Sequence, residues 1–167
     1  DLRSSVVSKA KQVGYTPTSS TASSAVIDVV VNNASGASLT MSRGTKFATS
    51  INGQNYNFVN NADVTITPNN GVYKFSNLSI FEGTYLNFKY TASTSDIDQR
   101  FIIPNDNVDT TTLTVKVQNS SSDSTTNTYT LADGLTGLTP TSQVYFLQEV
   151  ENGRYEVYFG DGVLGKA

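Results

Sequence analysis

The chain has 167 residues, 37% hydrophobic and 15% charged, with a formal net charge of −3. That balance offers no basic field to release counterions from nucleic acid, and no apolar run is long enough to cross a bilayer as a helix. Cysteine and histidine are both absent, which excludes disulfides, thiolate and imidazole catalysis and ordinary zinc ligation, and leaves acid–base work to carboxylates, lysine or tyrosine.

In chain order, residues 2–13 read as the one helix, with Leu2, Val6, Ala10 and Val13 on one face of a 3.6-residue period. Asp1 suits its cap. Gly14 suits the left-handed position after the last turn, Tyr15 and Ala10 form the pair that seals such an end, and Pro17 blocks continuation. Arg3, Lys9 and Lys11 form the only basic cluster; Lys9 and Lys11 suit the helix dipole, and the cluster reads as a solvated helix end. Residues 18–24 are a Ser/Thr loop, after which the period changes to two. Ile27, Val29 and Val31 lie on one side of a strand, with Val26, Asp28 and Val30 on the other. Residues 32–36 are a turn cluster. Lys46–Ile51 and Gln54–Val59 flank Asn52-Gly53, the strongest short-range hairpin signal, because both residues tolerate positive φ. Val64 and Ile66 alternate with polar neighbours before a turn at 68–71, and Tyr73 and Phe75 follow. Leu86, Phe88 and Tyr90 then share a face opposite Tyr85, Asn87 and Lys89, which predicts a further strand. Short pieces at 100–103 and 113–117 precede an apolar-free stretch, 119–127. Val144, Phe146 and Val150, then Tyr155, Val157 and Phe159, predict a second hairpin turning at Glu151-Asn152-Gly153, with Glu149 on the outward phase.

The fold class expected is mainly β, a β-rich α+β chain: an N-terminal helix, an antiparallel β-sandwich or open-barrel-like lobe, then a β-hairpin of a second lobe. The boundaries expected are 1–17 for the helix and cap and 18–118 for the main lobe. Residues 119–127 are a loop or linker, and 128–167 begin the second lobe. The start at Asp1 and the stop just after a turn fit a piece of a longer polypeptide.

Gly160-Asp161-Gly162-Val163-Leu164-Gly165-Lys166 matches most of a phosphate-binding loop, G-x-x-x-x-G-K, after a strand. The hydroxyl that should follow for magnesium is replaced by Ala167, and the strand belongs to a hairpin, so a glycine-rich turn is the better reading. Asn105, Asp106, Asn107 and Asp109 cluster as calcium loops do, but they lack the glycine and the closing glutamate (Lys116 stands there), and turn formation after Pro104 explains them. The carboxylate pairs Asp96/Asp98, Glu149/Glu151 and Glu156/Asp161 are candidates for glycoside hydrolysis, each with solvated surface as the ordinary alternative. Tyr56, Tyr85, Tyr145 and Tyr158, expected to be exposed, suit sugar stacking or a protein interface, against ordinary cross-strand packing. No residue is assigned to catalysis, to a cofactor or to a metal.

Three segments together resemble the baseplate J-like family of contractile phage tails, and within it the inner-ring wedge subunits of T-even-like phages (myoviruses). Residues 3–17 look like the family's helix ending in Gly-Tyr-x-Pro. Ser42-Arg43-Gly44-Thr45-Lys46-Phe47 is similar to its Pro-x-Gly-Thr-x-Phe turn, with Ser42 in place of proline. Tyr158-Phe159-Gly160-Asp161-Gly162-Val163-Leu164-Gly165-Lys166 is similar to its Phe-Gly-Asp-Gly-x-x-Gly turn. The resemblance implies a non-enzymatic virion structural protein of the tail baseplate, assembled in the host cytoplasm. It would associate with itself and with other wedge proteins, without nucleic acid, membrane or cofactor; the excised fragment is compatible with a monomer. The alternative from another class is a carbohydrate- or receptor-binding β-sandwich of a tail fibre or adhesin.

Overall fold

The computed structural model describes residues 2–12, 15, 18–93, 95–96, 98–150 and 153–166. Asp1, Val13, Gly14, Pro17, Glu151, Asn152 and Ala167, read above in helix, capping, turn or site roles, lie outside the described residues. The fold is mainly β, with one short N-terminal helix. Its contacts divide the chain into two units: Ala22–Asn87, inserted in sequence, and a framing unit of Asp1–Thr21 with Phe88–Ala167. This division differs from the expected break near 118.

The inserted unit holds a four-stranded antiparallel sheet in the order β1-β6-β4-β3, with β1 Ser24–Val31, β3 Lys46–Ile51, β4 Gln54–Asn60 and β6 Tyr73–Glu82. A small second sheet pairs β2 Leu39–Met41 with β5 Val64–Ile66. The β3–β4 hairpin turns at Asn52-Gly53, with φ of 52° and 79°, and Asn70-Gly71 repeats the geometry at 50° and 78°. Paired positive φ is what a two-residue turn needs to match strand twist.

β6 carries a bulge. Ile27 faces Leu78, yet Val29 faces Phe75, so Ser76 and Asn77 together oppose Asp28. Asn77 sits at φ 55°. Its N–H donates to Asp28 Oδ1 at 2.9 Å, and Lys74 Nζ pairs with Asp28 Oδ2 at 2.7 Å. The extra residue changes the phase of the strand, so that Tyr73, Phe75, Leu78 and Ile80 are all buried. Simple alternation from Tyr73 and Phe75 would have put Asn77 and Ser79 inside instead.

The framing unit begins with α1, Leu2–Gln12. Tyr15 N–H donates to the Ala10 carbonyl at 3.0 Å, the long-range bond of a Schellman end. Val7 is buried, whereas Val6, expected on the inner face, is 60% exposed. A five-stranded sheet follows in the order β7-β11-β10-β9-β8, formed by β7 Phe101–Ile102, β8 Val115–Gln118, β9 Thr126–Leu131, β10 Val144–Glu149 and β11 Tyr155–Phe159. Its core is Ile103, Tyr129, Tyr145, Tyr155 and Val157, flanked by Phe101, Val108, Leu113, Leu147 and Phe159.

Four expectations change here. Residues 119–125 close a β8–β9 hairpin (Gln118 faces Thr126) and do not link two lobes. The β10–β11 hairpin accordingly shares a sheet with β7, β8 and β9. β9 and β10 run parallel, a departure from an all-antiparallel fold, with residues 132–143 as the crossover. The predicted strand at 85–90 does not form: Leu86, Phe88 and Tyr90 are exposed, and no described strand pairs with the segment. Alternation positions side chains, but a strand also needs a partner for its backbone.

Candidate functional site

The turn at 160–166 was the most suggestive motif, and its geometry shows what it does. Asp161 Oδ1 accepts from the N–H groups of both Val163 and Leu164 at 2.9 Å. In a phosphate-binding loop such N–H groups face the ligand; here the chain's own carboxylate occupies them. Those two backbone donors hold the Asp161 carboxyl below the usual range. Gly162 N–H donates to Gly165 O at 3.1 Å and closes the turn. Gly160 and Gly165 touch: a Cβ built on Gly160 would lie closer than 3.0 Å to the Leu164 and Gly165 backbones. The far end docks on the crossover, where Gly165 N–H donates to Thr139 O (3.2 Å) and Lys166 N–H to Ser142 O (2.9 Å). The motif is a structural clasp on the sheet's one parallel connection.

The turn at 42–47 is built in the same way. Asn60, 1% exposed, accepts Thr45 N–H on Oδ1 at 2.8 Å and donates from Nδ2 to Ala62 O at 2.7 Å. Its backbone carbonyl takes Gly44 N–H at 2.9 Å, and Asp63 Oδ1 takes Arg43 N–H at 2.7 Å. The Tyr85 ring lies against Gly44, where a Cβ would stand 3.2 Å from it. The Arg43 guanidinium lies 5.8 Å from the same ring centroid and reaches the Tyr85 hydroxyl at 3.4 Å. Sequence reasoning missed Asn60 and Tyr85 as keystones of this turn. The only available signal was an asparagine closing an otherwise alternating strand.

The acidic candidates are likewise engaged locally. Asn105 Oδ1 accepts Asn107 N–H at 2.8 Å, and Asp109 caps the 3-10 turn Thr110–Thr112 by accepting Thr111 N–H at 2.9 Å. Among the described residues no three carboxylates converge as a metal cluster. Asp96 accepts Asp98 N–H at 3.2 Å in a turn. Glu156, nearly buried, accepts from Arg100 at 3.4 Å and Gln148 at 3.2 Å, while Asp161 serves its own turn.

Two readings on β10 are reversed. Glu149 is 1% exposed and Tyr145 is 4% exposed, where both were expected outside. The register is the cause: Tyr145 faces Phe159, Leu147 faces Val157 and Glu149 faces Tyr155. Residues directly opposite share a face, so the inward Tyr155 and Val157 bring Tyr145, Leu147 and Glu149 inward with them. Tyr155 Oη donates to Glu149 Oε2 at 3.5 Å. Burial pushes the Tyr145 and Tyr129 phenols up. Of the other tyrosines, Tyr56 is half-buried. Tyr158 stacks on Phe146 at 5.2 Å beneath the Arg100 guanidinium at 4.0 Å, and Tyr85 packs on Gly44. The four lie on separate strands and loops; packing accounts for Tyr145 and Tyr158, while Tyr85, 41% exposed, keeps the exposure expected of it.

No protein-family model matches the chain. The chain is a distant homologue of the baseplate wedge protein gp6 of Enterobacteria phage T4, 30% identical over 170 residues, which covers 98% of this chain. It spans about a quarter (24%) of that relative's length.

Proposed function

We propose, from that homology, that the chain is a structural, non-enzymatic module of a contractile-tail baseplate, acting as part of a wedge subunit of the inner ring. The observation that carries the reading is similarity running through 98% of the chain. The local chemistry supports it. Asp161, Asp109, Asn105 and Asn60 spend their polar atoms holding backbone turns, as a part that transmits load through stiff sheets requires. On this reading the protein resides in the virion tail, and its partners are other baseplate wedge proteins and further copies of itself.

The test is deletion of the coding segment for residues 22–87 from the parent genome, followed by electron microscopy of the particles. Particles lacking assembled baseplates are expected. Infectious virions with intact baseplates would overturn the reading. A glycan array gives the second arm: specific hits lost on Tyr85→Ala would favour the carbohydrate-binding alternative.

A further inference from the structure

Asn-Gly is the peptide step at which a chain most readily modifies itself. Asparagine carries an amide leaving group on Cγ, and the nitrogen of the glycine after it has no side chain to shield it. Two such steps lie among the described residues, Asn52-Gly53 and Asn70-Gly71, both exposed and both at paired positive φ. A Cβ built on either glycine meets nothing within 4 Å, so local space does not separate them. Anchoring does.

Asn52-Gly53 closes the tip of a hairpin that outruns its sheet. β6 meets β4 only over Phe58–Asn60, with Gly83 N–H reaching Asn57 O at 2.8 Å, and β3 is the sheet's edge. From Ala48 to Asn55 every residue is exposed, and the two strands there pair with each other alone. A lone two-stranded ribbon is marginally stable in water, so the tip opens readily. Asn70-Gly71 is held close by. Asn69 and Val72 exchange backbone bonds at 2.9 and 3.0 Å. Tyr73, next in sequence, is 2% exposed, pairs with Val31 of β1 and donates its hydroxyl to Gly36 O.

Opening matters because the folded turn disfavours the reaction. Ring closure must bring Gly53 N to within about 3–3.5 Å of Asn52 Cγ, in line for attack. The five-membered ring nearly eclipses that nitrogen with Cβ, which takes a large rotation of ψ away from the about 30° of a primed turn.

We propose that Asn52 is a site of self-modification by intramolecular imide formation, selected over Asn70 by fraying of the β3–β4 tip. Gly53 N bonds to Asn52 Cγ, the Cγ–Nδ2 bond breaks, and ammonia leaves with the Gly53 proton. Water then opens the imide. Attack at the Cγ carbonyl gives aspartate, and attack at the α-carbonyl gives isoaspartate, which routes the main chain through the side-chain methylene. Either product adds a negative charge at the tip. The isoaspartyl product also lengthens the loop, which a two-residue turn between Ile51 and Gln54 cannot absorb. The chemistry needs neither enzyme nor partner and is independent of the baseplate reading.

The test incubates the full chain in mildly alkaline buffer, which deprotonates more of the attacking amide, and maps chymotryptic peptides by mass spectrometry. Cleavage at Tyr56 and Phe58 separates the two turns. Asn52 is expected to gain about one dalton at least about fivefold faster than Asn70, with isoaspartate among the products. In urea the two rates converge, because both steps are then unanchored. Ser50→Cys with Asn55→Cys supplies a second arm in a chain otherwise free of cysteine. Those residues face each other one pair beyond the turn's closing pair, a non-hydrogen-bonded position whose Cα atoms stand about 4.5 Å apart, within disulfide reach. The oxidised form converts Asn52 several-fold more slowly than the reduced form, and Asn70 is unchanged. Equal rates in the folded chain, a faster Asn70 or an Asn52 excess that persists in urea overturns the proposal. So does an Asn52 rate indifferent to the disulfide.

Discussion

Replacing Gly160 with alanine places a methyl group where the Leu164 and Gly165 backbones already lie, closer than any real Cβ contact. Both obstacles are backbone, so relief requires the 160–165 turn to open. Opening strains the Asp161 bonds to Val163 and Leu164 and the Gly165 bond to Thr139. Overpacking costs about 1–3 kcal/mol, and a backbone obstacle belongs at the upper end, so about 2–3 kcal/mol is expected. For a unit of roughly 100 residues that corresponds to a fall in melting temperature of about 10–20 °C. Gly134→Ala is the matched control in the same unit, since its added Cβ meets nothing within 4 Å. It should be neutral, or stabilising by about 0.4–1 kcal/mol through the unfolded chain. The assay is pulsed hydrogen exchange with mass spectrometry on peptides from β10 and β11 across a thermal melt, which isolates the framing unit. Equal midpoints for the two variants would refute the claim that the clasp is close-packed.

Asn60→Ala should destabilise the inserted unit by about 1–2 kcal/mol, through loss of the two hydrogen bonds that this buried side chain makes to Thr45 N–H and Ala62 O. Thr45 N–H retains the Ser42 carbonyl at 3.1 Å, which keeps the loss from being larger; urea titration of unit-specific exchange checks it, and a shift under about 0.5 kcal/mol would contradict it. Asp28, Asp123 and Asp161 have carboxyls held below their ordinary value by Lys74 and Asn77, by Asn119 and Thr125, and by Leu164 and Val163 respectively. A lowered folded pKa gives stability that is present above the unfolded value near 3.8 and lost as pH falls through the folded one. Carbon-detected NMR titration should therefore find these three still ionised below the ordinary aspartate value of 3.8, and midpoints at or above it would count against the turn geometry. ATP should not bind, and Lys166→Ala should change nothing; binding that disappears with Lys166→Ala would show that the Asp161 carboxylate yields to phosphate.

Much of the fold is legible locally. Asn52-Gly53 and Asn70-Gly71 declare their turns because few residue pairs accept positive φ in succession. At the helix end the sequence pairs Tyr15 with Ala10 as a sealing contact, and the structure joins the same two residues by a backbone hydrogen bond. Ile27, Val29 and Val31 alternate against Val26, Asp28 and Val30 as the sequence shows. The 160–165 segment was legible as a glycine-rich turn, whereas the carboxylate that fills it was recognised only in three dimensions.

Phase and partnership were decided by tertiary structure. β10 carries apolar residues on both faces, Val144 and Phe146 on one and Tyr145 and Leu147 on the other, so alternation alone could not say which face is buried. The β11 register did, and it took Glu149 inside. The Asn77 bulge, the parallel β9–β10 pair and the division at Ala22 and Asn87 share that character. Turn chemistry and side-chain period depend on a few neighbouring residues, so the sequence by itself determined them. Strand pairing depends on which distant segment supplies the other half of each hydrogen bond, and only the folded chain specifies that.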